Sequence, residues 1–367
     1  MLEAGLIAAV LFLAYSNGSN DNFKGVATLY GSGIFSYDKA LRFATVMTFM
    51  GSVAAFFLAR ELIQAFSGKG IVGAEEVARP EFLFSVALGA ALTVFSATRL
   101  GLPISTTHSL IGGLVGAGFV AAGTSIQFGV LLNKFVAPLL FSPFLAIVIT
   151  AFVYPVFSKL RKISGVTSET CVCIPTGAAA QTLTLDGTAG VAGQPLVEVA
   201  DSDYCQEVYR GEIVGINAQA ALNFLHYLSA GAVSFARGLN DAPKILGLLV
   251  ATMALHLDKM IIITGVMMVA GGLLNARKVA ATMSKKITPM NHGQGFSANL
   301  VTSSIIIGAS LFGMPVSTTH VSVGSIFGMG LVSRSCRWRT LLKIFGSWVA
   351  TLPVAAFLSA VIHLLAA

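Results

Sequence analysis

Charged side chains are scarce in this sequence. Lysine, arginine, aspartate and glutamate make up 11% of the 367 residues, and hydrophobic residues make up 55%. Soluble domains carry about 25% charged residues, so the composition argues against a soluble fold with an oversized core. Apolar runs that approach or exceed the roughly 18 residues needed to cross a bilayer recur along the chain. The sequence therefore predicts an integral membrane protein.

Cysteine is also rare, and its spacing argues against the common zinc sites. Cys171 and Cys173 are separated by one residue, and no second pair of ligands accompanies them. We interpret these two cysteines, Cys205 and Cys336 as free cytosolic thiols. No cofactor is predicted.

Basic residues outnumber acidic ones, and the formal net charge is +7. Such a balance can indicate nucleic-acid binding. Here, however, the basic residues lie at the edges of apolar runs, as at 159–162 and 334–339. That position is typical of the positive-inside rule and of contact with lipid headgroups. We therefore expect membrane lipid, and no nucleic acid, among the partners.

The apolar runs predict helices, because backbone exposed to lipid must form its own hydrogen bonds and the runs are too long for barrel strands. The fold class predicted is an all-α integral membrane protein with about 10–12 transmembrane helices. The runs lie at about 2–15, 43–66, 82–98, 104–123, 128–157, 213–236, 242–255, 259–276, 297–313, 316–333 and 340–366.

A polar segment at 158–212 separates two groups of apolar runs. It divides the chain into a predicted first transmembrane repeat, residues 1–157, and a second, residues 213–367. The basic cluster at 159–162 predicts that this segment is a cytoplasmic loop of a protein in the plasma (inner) membrane.

Two polar motifs each occur twice in the same order. Gly-Ser-Asn-Asp-Asn-Phe-Lys at 18–24 corresponds to Gly-Leu-Asn-Asp-Ala-Pro-Lys at 238–244. Gly-Leu-Pro-Ile-Ser-Thr-Thr-His at 101–108 corresponds to Gly-Met-Pro-Val-Ser-Thr-Thr-His at 313–320. The offset between copies is nearly the same for both motifs, which indicates a duplicated unit. Carriers built this way often have inverted-topology repeats, with discontinuous or re-entrant helices and the substrate site near the bilayer midplane.

The Asn-Asp motif predicts a cation site. Each copy follows an apolar helix and precedes helix-breaking residues, so we expect an interrupted helix within the membrane. A buried carboxylate is costly unless it is paired or binds a cation. Carboxylate and amide oxygens suit a hard cation such as sodium, and the predicted ligands are Asn20, Asp21, Asn240 and Asp241. The alternative is that each aspartate caps its helix or pairs with the lysine three residues later.

The Ser-Thr-Thr runs predict an anion site. Each follows a proline and opens a glycine-rich helix, and the free N–H groups of a first helical turn favour anions. Several convergent donors suit phosphate or sulfate, and the donors predicted are Ser105, Thr106, Thr107, Ser317, Thr318 and Thr319. The alternative is ordinary helix capping by serine and threonine.

Other polar residues near these motifs have two interpretations each. His108 and His320 could relay protons, bond the anion, or simply pack between helices with both ring nitrogens satisfied. Cationic side chains near the motifs could attract the anion or anchor the helices at the interface: Arg99, Arg237, Lys24 and Lys244. The glycines after each histidine are expected to allow close helix packing.

Together these motifs resemble the inorganic phosphate transporter (Pit) family, of the sodium–phosphate symporter type. The resemblance covers both halves outside 158–212. It implies an inverted-repeat carrier that takes up phosphate with a coupling cation, with Asn20 and Asn240 contacting both ion and phosphate. That family commonly has small residues around its Asn-Asp motif, whereas this chain has Phe23-Lys24 and Pro243-Lys244. The two cation sites therefore need not be equivalent.

The function predicted is uptake of inorganic phosphate coupled to sodium, by alternating access at the interface of two repeats. Within the transporter class, the alternatives are a proton-coupled phosphate or metal-phosphate carrier and a sulfate carrier. An anion channel and a membrane enzyme are alternatives from other classes, and no enzymatic activity is predicted. A homodimer is possible on the sequence alone.

Overall fold

Ten helices of 15 or more residues make up most of the described chain, five in each half and in the same order. The computed structural model describes residues 2–67, 70–123, 126–173, 198–201, 216–250 and 257–367. In the first half the helices are α1 (Leu2–Asp21), α2 (Tyr37–Leu58), α3 (Pro80–Leu100), α4 (Thr106–Ala122) and α5 (Ala137–Ile163). In the second half they are α6 (Ala218–Val250), α7 (Leu257–Asn275), α8 (His292–Leu311), α9 (Thr318–Val332) and α10 (Trp338–Ala366).

Shorter helical segments connect these helices. They are Lys24–Val26, Ala27–Gly31, Arg60–Ala65, Ala74–Val77, Phe128–Leu131, Leu132–Val136, Arg277–Ala281 and Thr282–Lys286.

Helix length and composition confirm the all-α membrane class. In the described part of the chain, six helices are long and apolar enough to cross a bilayer: Leu2–Gly31, Tyr37–Leu58, Pro80–Leu100, Phe128–Ile163, Asp258–Asn275 and Trp338–Ala366. The helices α4 and α9 have only 17 and 15 residues. At about 1.5 Å per residue they are shorter than a hydrocarbon core of roughly 30 Å. The predicted number of crossings and the inverted orientation of the repeats stay predictions.

The two Asn-Asp motifs differ in secondary structure. The helix α1 ends at Asp21, and a short 3-10 turn, Lys24–Val26, follows it, as predicted. The expected interruption after Asp241 is wrong, because α6 continues through Pro243 to Val250 and merges two runs predicted as separate helices. Pro243 removes one backbone hydrogen bond, but the residues from 236 to 249 are all buried. Packing on all sides therefore holds the helix together at the proline.

Residues 155–225 form a second compact unit, apart from the unit formed by 1–154 and 226–367. Within it, a three-stranded antiparallel sheet has β1 (Thr170–Cys173) between β2 (Glu198–Asp201) and β3 (Ile216–Asn217). No strand was expected in the polar segment. Much of that segment, including Cys205, lies outside the described residues. Its cytoplasmic position and the domain boundaries 1–157, 158–212 and 213–367 stay predictions.

Glycines bring helices from different parts of the chain into backbone contact. A Cβ atom added at Gly116 of α4 would lie 1.9 Å from the Ala356 carbonyl oxygen of α10. In the second copy, a Cβ at Gly328 of α9 would lie 2.4 Å from the Ile147 carbonyl oxygen of α5. The glycines that follow each histidine therefore set how closely α4 and α9 pack against their neighbours, as the sequence predicted.

Alanine at Gly116 should destabilise the protein, because a methyl group there has no room beside the Ala356 carbonyl. We expect Gly116→Ala to lower stability by about 1–3 kcal/mol, the usual cost of overpacking. The matched control is Gly308→Ala in α8, where an added Cβ would have no described atom within 4 Å apart from those of its own stretch of helix. Fluorescence-detected thermal unfolding of both variants measures the difference. Equal melting temperatures would contradict the close packing.

Candidate functional site

The helices α4 and α9 begin in the same way. Gly101 follows the end of α3, and Gly313 follows the end of α8. Their φ angles are 71° and 64°, a backbone conformation that residues with a side chain rarely adopt. The chain then runs through Pro-x-Ser into the next helix. The Ser105 hydroxyl accepts a hydrogen bond from the His108 amide, and the Ser317 hydroxyl accepts one from the His320 amide, both at 3.2 Å. Both serines therefore act as N-caps, the alternative considered above.

The starts of α4 and α9 face each other. The Thr319 hydroxyl donates to the carbonyl of Ile104 at 2.7 Å, and the Thr107 hydroxyl donates to the carbonyl of Val316 at 3.5 Å. Folding thus brings together two motifs that lie in opposite halves of the chain. Each threonine bonds to the other copy's loop, so the contacts are reciprocal.

Each Asn-Asp asparagine holds the loop that leads into its own copy's Ser-Thr-Thr helix. The Asn20 side chain donates to the Leu102 carbonyl at 3.0 Å and accepts from the Ile104 amide at 3.1 Å. The Asn240 side chain donates to the Val316 carbonyl at 3.2 Å. Both asparagines are fully or almost fully buried. They are therefore positioned to orient the helix starts.

The aspartates form ion pairs with basic residues of their own segments. Asp21 bonds the ammonium of Lys24, three residues later. The carboxylate of Asp241 lies 3.8 Å from the ammonium of Lys244 and 3.8 Å from Nε of Arg237. The aspartate–lysine pairing that competed with the cation-site prediction is thus present in both copies.

The lysines also reach the opposite copy. Nζ of Lys24 donates to the Thr319 hydroxyl at 2.5 Å, and Nζ of Lys244 donates to the Thr107 hydroxyl at 2.9 Å. The sequence alone leaves Lys24 and Lys244 with two interpretations, attraction of the anion or anchoring of a helix at the interface. Their i+3 spacing from each aspartate was the signal that placed them beside the motif.

Asn17 lies between the two aspartates and Arg237. The sequence motifs did not point to it. Its amide nitrogen contacts the carboxylates of Asp21 at 3.2 Å and Asp241 at 3.3 Å, and the Thr106 hydroxyl at 2.9 Å. Its carbonyl accepts from Nη2 of Arg237 at 3.2 Å. Asn17 lies one helical turn before Asp21 and therefore shares its helix face. That spacing could have identified it.

The cluster has more cationic than anionic groups. Three basic side chains and two carboxylates are involved, and none is more than 3% exposed: Lys24, Arg237, Lys244, Asp21 and Asp241. In the described part of the chain, Nε and Nη1 of Arg237 have no hydrogen-bond partner. A buried, incompletely paired guanidinium is costly. With all five groups ionised, the excess positive charge and free donors suit an anion.

The predicted donor Thr318 also belongs to the cluster, since its hydroxyl lies 3.4 Å from the carboxylate of Asp241. The hydroxyl of its counterpart, Thr106, accepts a hydrogen bond from the Asn17 side-chain amide. The four threonines of the two motifs thus all contact charged or amide groups of the Asn-Asp segments or the facing loop. The serines are occupied as caps.

The histidines pack behind the two helix starts. The rings of His108 and His320 have centroids 4.5 Å apart, and His320 lies 3.9 Å from the ring of Trp348. The indole of Trp348 donates to the Pro103 carbonyl at 3.0 Å. The ring contacts favour packing between helices, but the expectation that both ring nitrogens are satisfied is wrong, because Nδ1 of His108 and Nε2 of His320 have no hydrogen-bond partner among the described residues.

Residues 17–359, which include both pairs of motifs, match the model of a phosphate transporter family. The chain belongs to the phosphate transporter family. Its members are transporters and permeases, so the chain is a membrane transport protein and not an enzyme.

Similar proteins cover nearly the whole chain. A "putative phosphate permease" of Pyrococcus horikoshii is 28% identical over 95% of this chain and 94% of its own length. A protein of Rhizobium meliloti named as a probable low-affinity inorganic phosphate transporter is 27% identical over 99% of this chain and 96% of its own. A solved structure described as the sodium-dependent phosphate transporter has a TM-score of 0.75 and 23% identity, covering 99% and 98% of the two chains. This structural similarity shows that the two chains share a fold.

Alanine at Asn17 should abolish most transport, because both carboxylates and Thr106 would lose their shared amide. We expect a loss of roughly tenfold or more, since bonds to charged groups contribute about 1.5–3 kcal/mol each. The control is Asn22→Ala, another buried asparagine nearby, which bonds Thr45 outside the cluster. Radiolabelled phosphate uptake into proteoliposomes, corrected for folded protein, compares them. Similar uptake by the two variants would contradict a central role for Asn17.

Proposed function

We propose that this protein carries inorganic phosphate across the membrane as a secondary transporter. The observation that carries the proposal is the meeting of two Ser-Thr-Thr helix starts beside a buried cluster with excess positive charge. First-turn N–H groups favour anions. A guanidinium with free N–H groups adds the geometry that phosphate oxygens prefer.

The proposed phosphate site lies where the two motifs meet. Its donors are the hydroxyls of the four threonines, with the capped first turns that Ser105 and Ser317 stabilise and the amides of Asn20 and Asn240. The contacts across the copies would have to open for phosphate to enter. We propose that the two repeats then rock against each other, exposing the site to each side in turn.

Sodium is the coupling ion predicted from the sequence, with Asn20, Asp21, Asn240 and Asp241 as its ligands. Proton coupling is the second candidate, and one observation favours it. The ammonium groups of Lys24 and Lys244 already lie among the oxygens that a sodium ion would require. Sulfate is the competing substrate, because it offers the same tetrahedral oxygens.

Separately imposed gradients test the proposal. We expect proteoliposomes to accumulate radiolabelled phosphate against its own gradient when a cation gradient is applied, because a secondary carrier couples the two fluxes. An inward sodium gradient and an inward proton gradient are applied in turn, with choline replacing sodium. Excess sulfate in parallel samples tests the substrate. Downhill flux alone would indicate a channel, and inhibition by sulfate equal to that by unlabelled phosphate would contradict phosphate selectivity.

Removing either buried carboxylate should sharply reduce uptake. We expect Asp21→Asn and Asp241→Asn to lower phosphate uptake at least tenfold, because each leaves a buried cation without its partner, which costs about 3–5 kcal/mol. Glu61→Gln, a neutralised carboxylate outside the cluster, serves as the control. The comparison uses initial uptake rates at equal amounts of folded protein. Wild-type rates in both aspartate variants would contradict their role in transport.

A further inference from the structure

We infer that Lys24, Lys244 and Arg237 act as tethered cations that take the place of coupling sodium ions, so that phosphate binds this protein with sodium absent. The inference rests on the proposed phosphate site. It departs from the sodium ligation predicted from the sequence, and the reason is the position of three side-chain nitrogens.

The ammonium of Lys24 lies in a shell made only of oxygens. Nζ contacts the Asn20 side-chain oxygen at 2.9 Å, the Ile104 carbonyl at 3.0 Å and the Thr319 hydroxyl at 2.5 Å. It also bonds the carboxylate of Asp21. Carboxylate, amide, carbonyl and hydroxyl oxygens are the ligands that hard cations select. The positive charge at the first Asn-Asp motif is therefore already supplied by the chain.

The second copy repeats this arrangement. Nζ of Lys244 contacts the Val316 carbonyl at 2.5 Å and the Thr107 hydroxyl at 2.9 Å, with the Asp241 carboxylate at 3.8 Å. The carbonyl and hydroxyl ligands of the two lysines lie at corresponding positions of the two Pro-x-Ser-Thr-Thr-His motifs. A sodium ion among either set of oxygens would touch an ammonium of like charge in a poorly screened interior. The oxygens therefore suit the lysine and exclude a second cation.

Arg237 supplies the remaining charge. Its Nη2 donates to Asn17 at 3.2 Å, while Nε and Nη1 make no hydrogen bond within the described part of the chain. Asp21 pairs with Lys24, and Asp241 lies between Lys244 and Arg237. With these groups ionised, three cations and two carboxylates leave one net positive charge. A bound monovalent phosphate would neutralise it without any added cation.

The first test measures binding rather than transport. Full-length protein in lipid nanodiscs is titrated with inorganic phosphate by calorimetry, in sodium chloride and in choline chloride at the same pH and ionic strength. We expect the two dissociation constants to agree within about twofold, since the charge balance does not change. A dissociation constant at least roughly tenfold tighter in sodium would overturn the inference while leaving the proposed function intact. Absence of binding in both salts would instead overturn the proposed function.

The second test removes the tethered charges. We expect Lys24→Gln, Lys244→Gln and Arg237→Gln each to weaken phosphate binding in choline by roughly tenfold or more, because each removes a positive charge from the cluster. Lys278→Gln is the matched control, since Lys278 is exposed and bonds the Arg99 carbonyl outside the cluster. Unchanged binding in all three variants would overturn the inference. The wild-type comparison in two salts remains decisive where a variant fails to fold.

The third test asks whether sodium can replace a lysine. Lys24→Ala removes the ammonium from its oxygen shell and leaves Asn20, Asp21 and Thr319 as ligands. We expect phosphate binding by this variant to become stronger when sodium replaces choline, by roughly tenfold. Binding that stays as tight as wild type in choline would show that the ammonium contributes no needed charge, and would overturn the inference.

Discussion

The arrangement of the two halves follows from the burial of five ionisable side chains within apolar sequence. Charges that leave water are costly unless partners compensate them. The compensation comes from both halves at once: Asn17 bridges Asp21 of the first copy and Asp241 of the second. Each aspartate also pairs with a lysine of its own half. The two halves of the chain are therefore linked where their motifs meet.

The lysines also connect the buried charged groups to the starts of α4 and α9. Lys24 bonds Thr319, and Lys244 bonds Thr107, so the lysine of each copy contacts the Ser-Thr-Thr helix start of the other. Close backbone packing at Gly116 and elsewhere leaves these helices little freedom to shift sideways. The proposed rocking of the two repeats would have to exchange these bonds for others. A phosphate ion, with its several acceptor oxygens, is suited to receive the freed donors.

The two copies of the Asn-Asp motif make similar contacts but differ in secondary structure. The helix α1 ends at the first Asn-Asp motif, while α6 passes through the second, including Pro243. Arg237 also has no basic counterpart in the first half, where Asn17 occupies the corresponding position directly before the motif. These two residues bond each other. The asymmetry thus concentrates the extra positive charge on one side of an otherwise paired arrangement.

The membrane class, the repeated motifs and their positions could be predicted from the linear chain, because apolar length and repeated order are visible in the sequence. It also contained the i+3 spacing that pairs each aspartate with a lysine. The reciprocal pairing between the two halves and the contacts of Asn17 with the second half depend on folding, since contacts between distant segments leave no local pattern in the sequence. The tertiary structure also decided that packing would carry α6 through Pro243, and that lysine nitrogens would lie among oxygens that look, in sequence, like ligands for sodium.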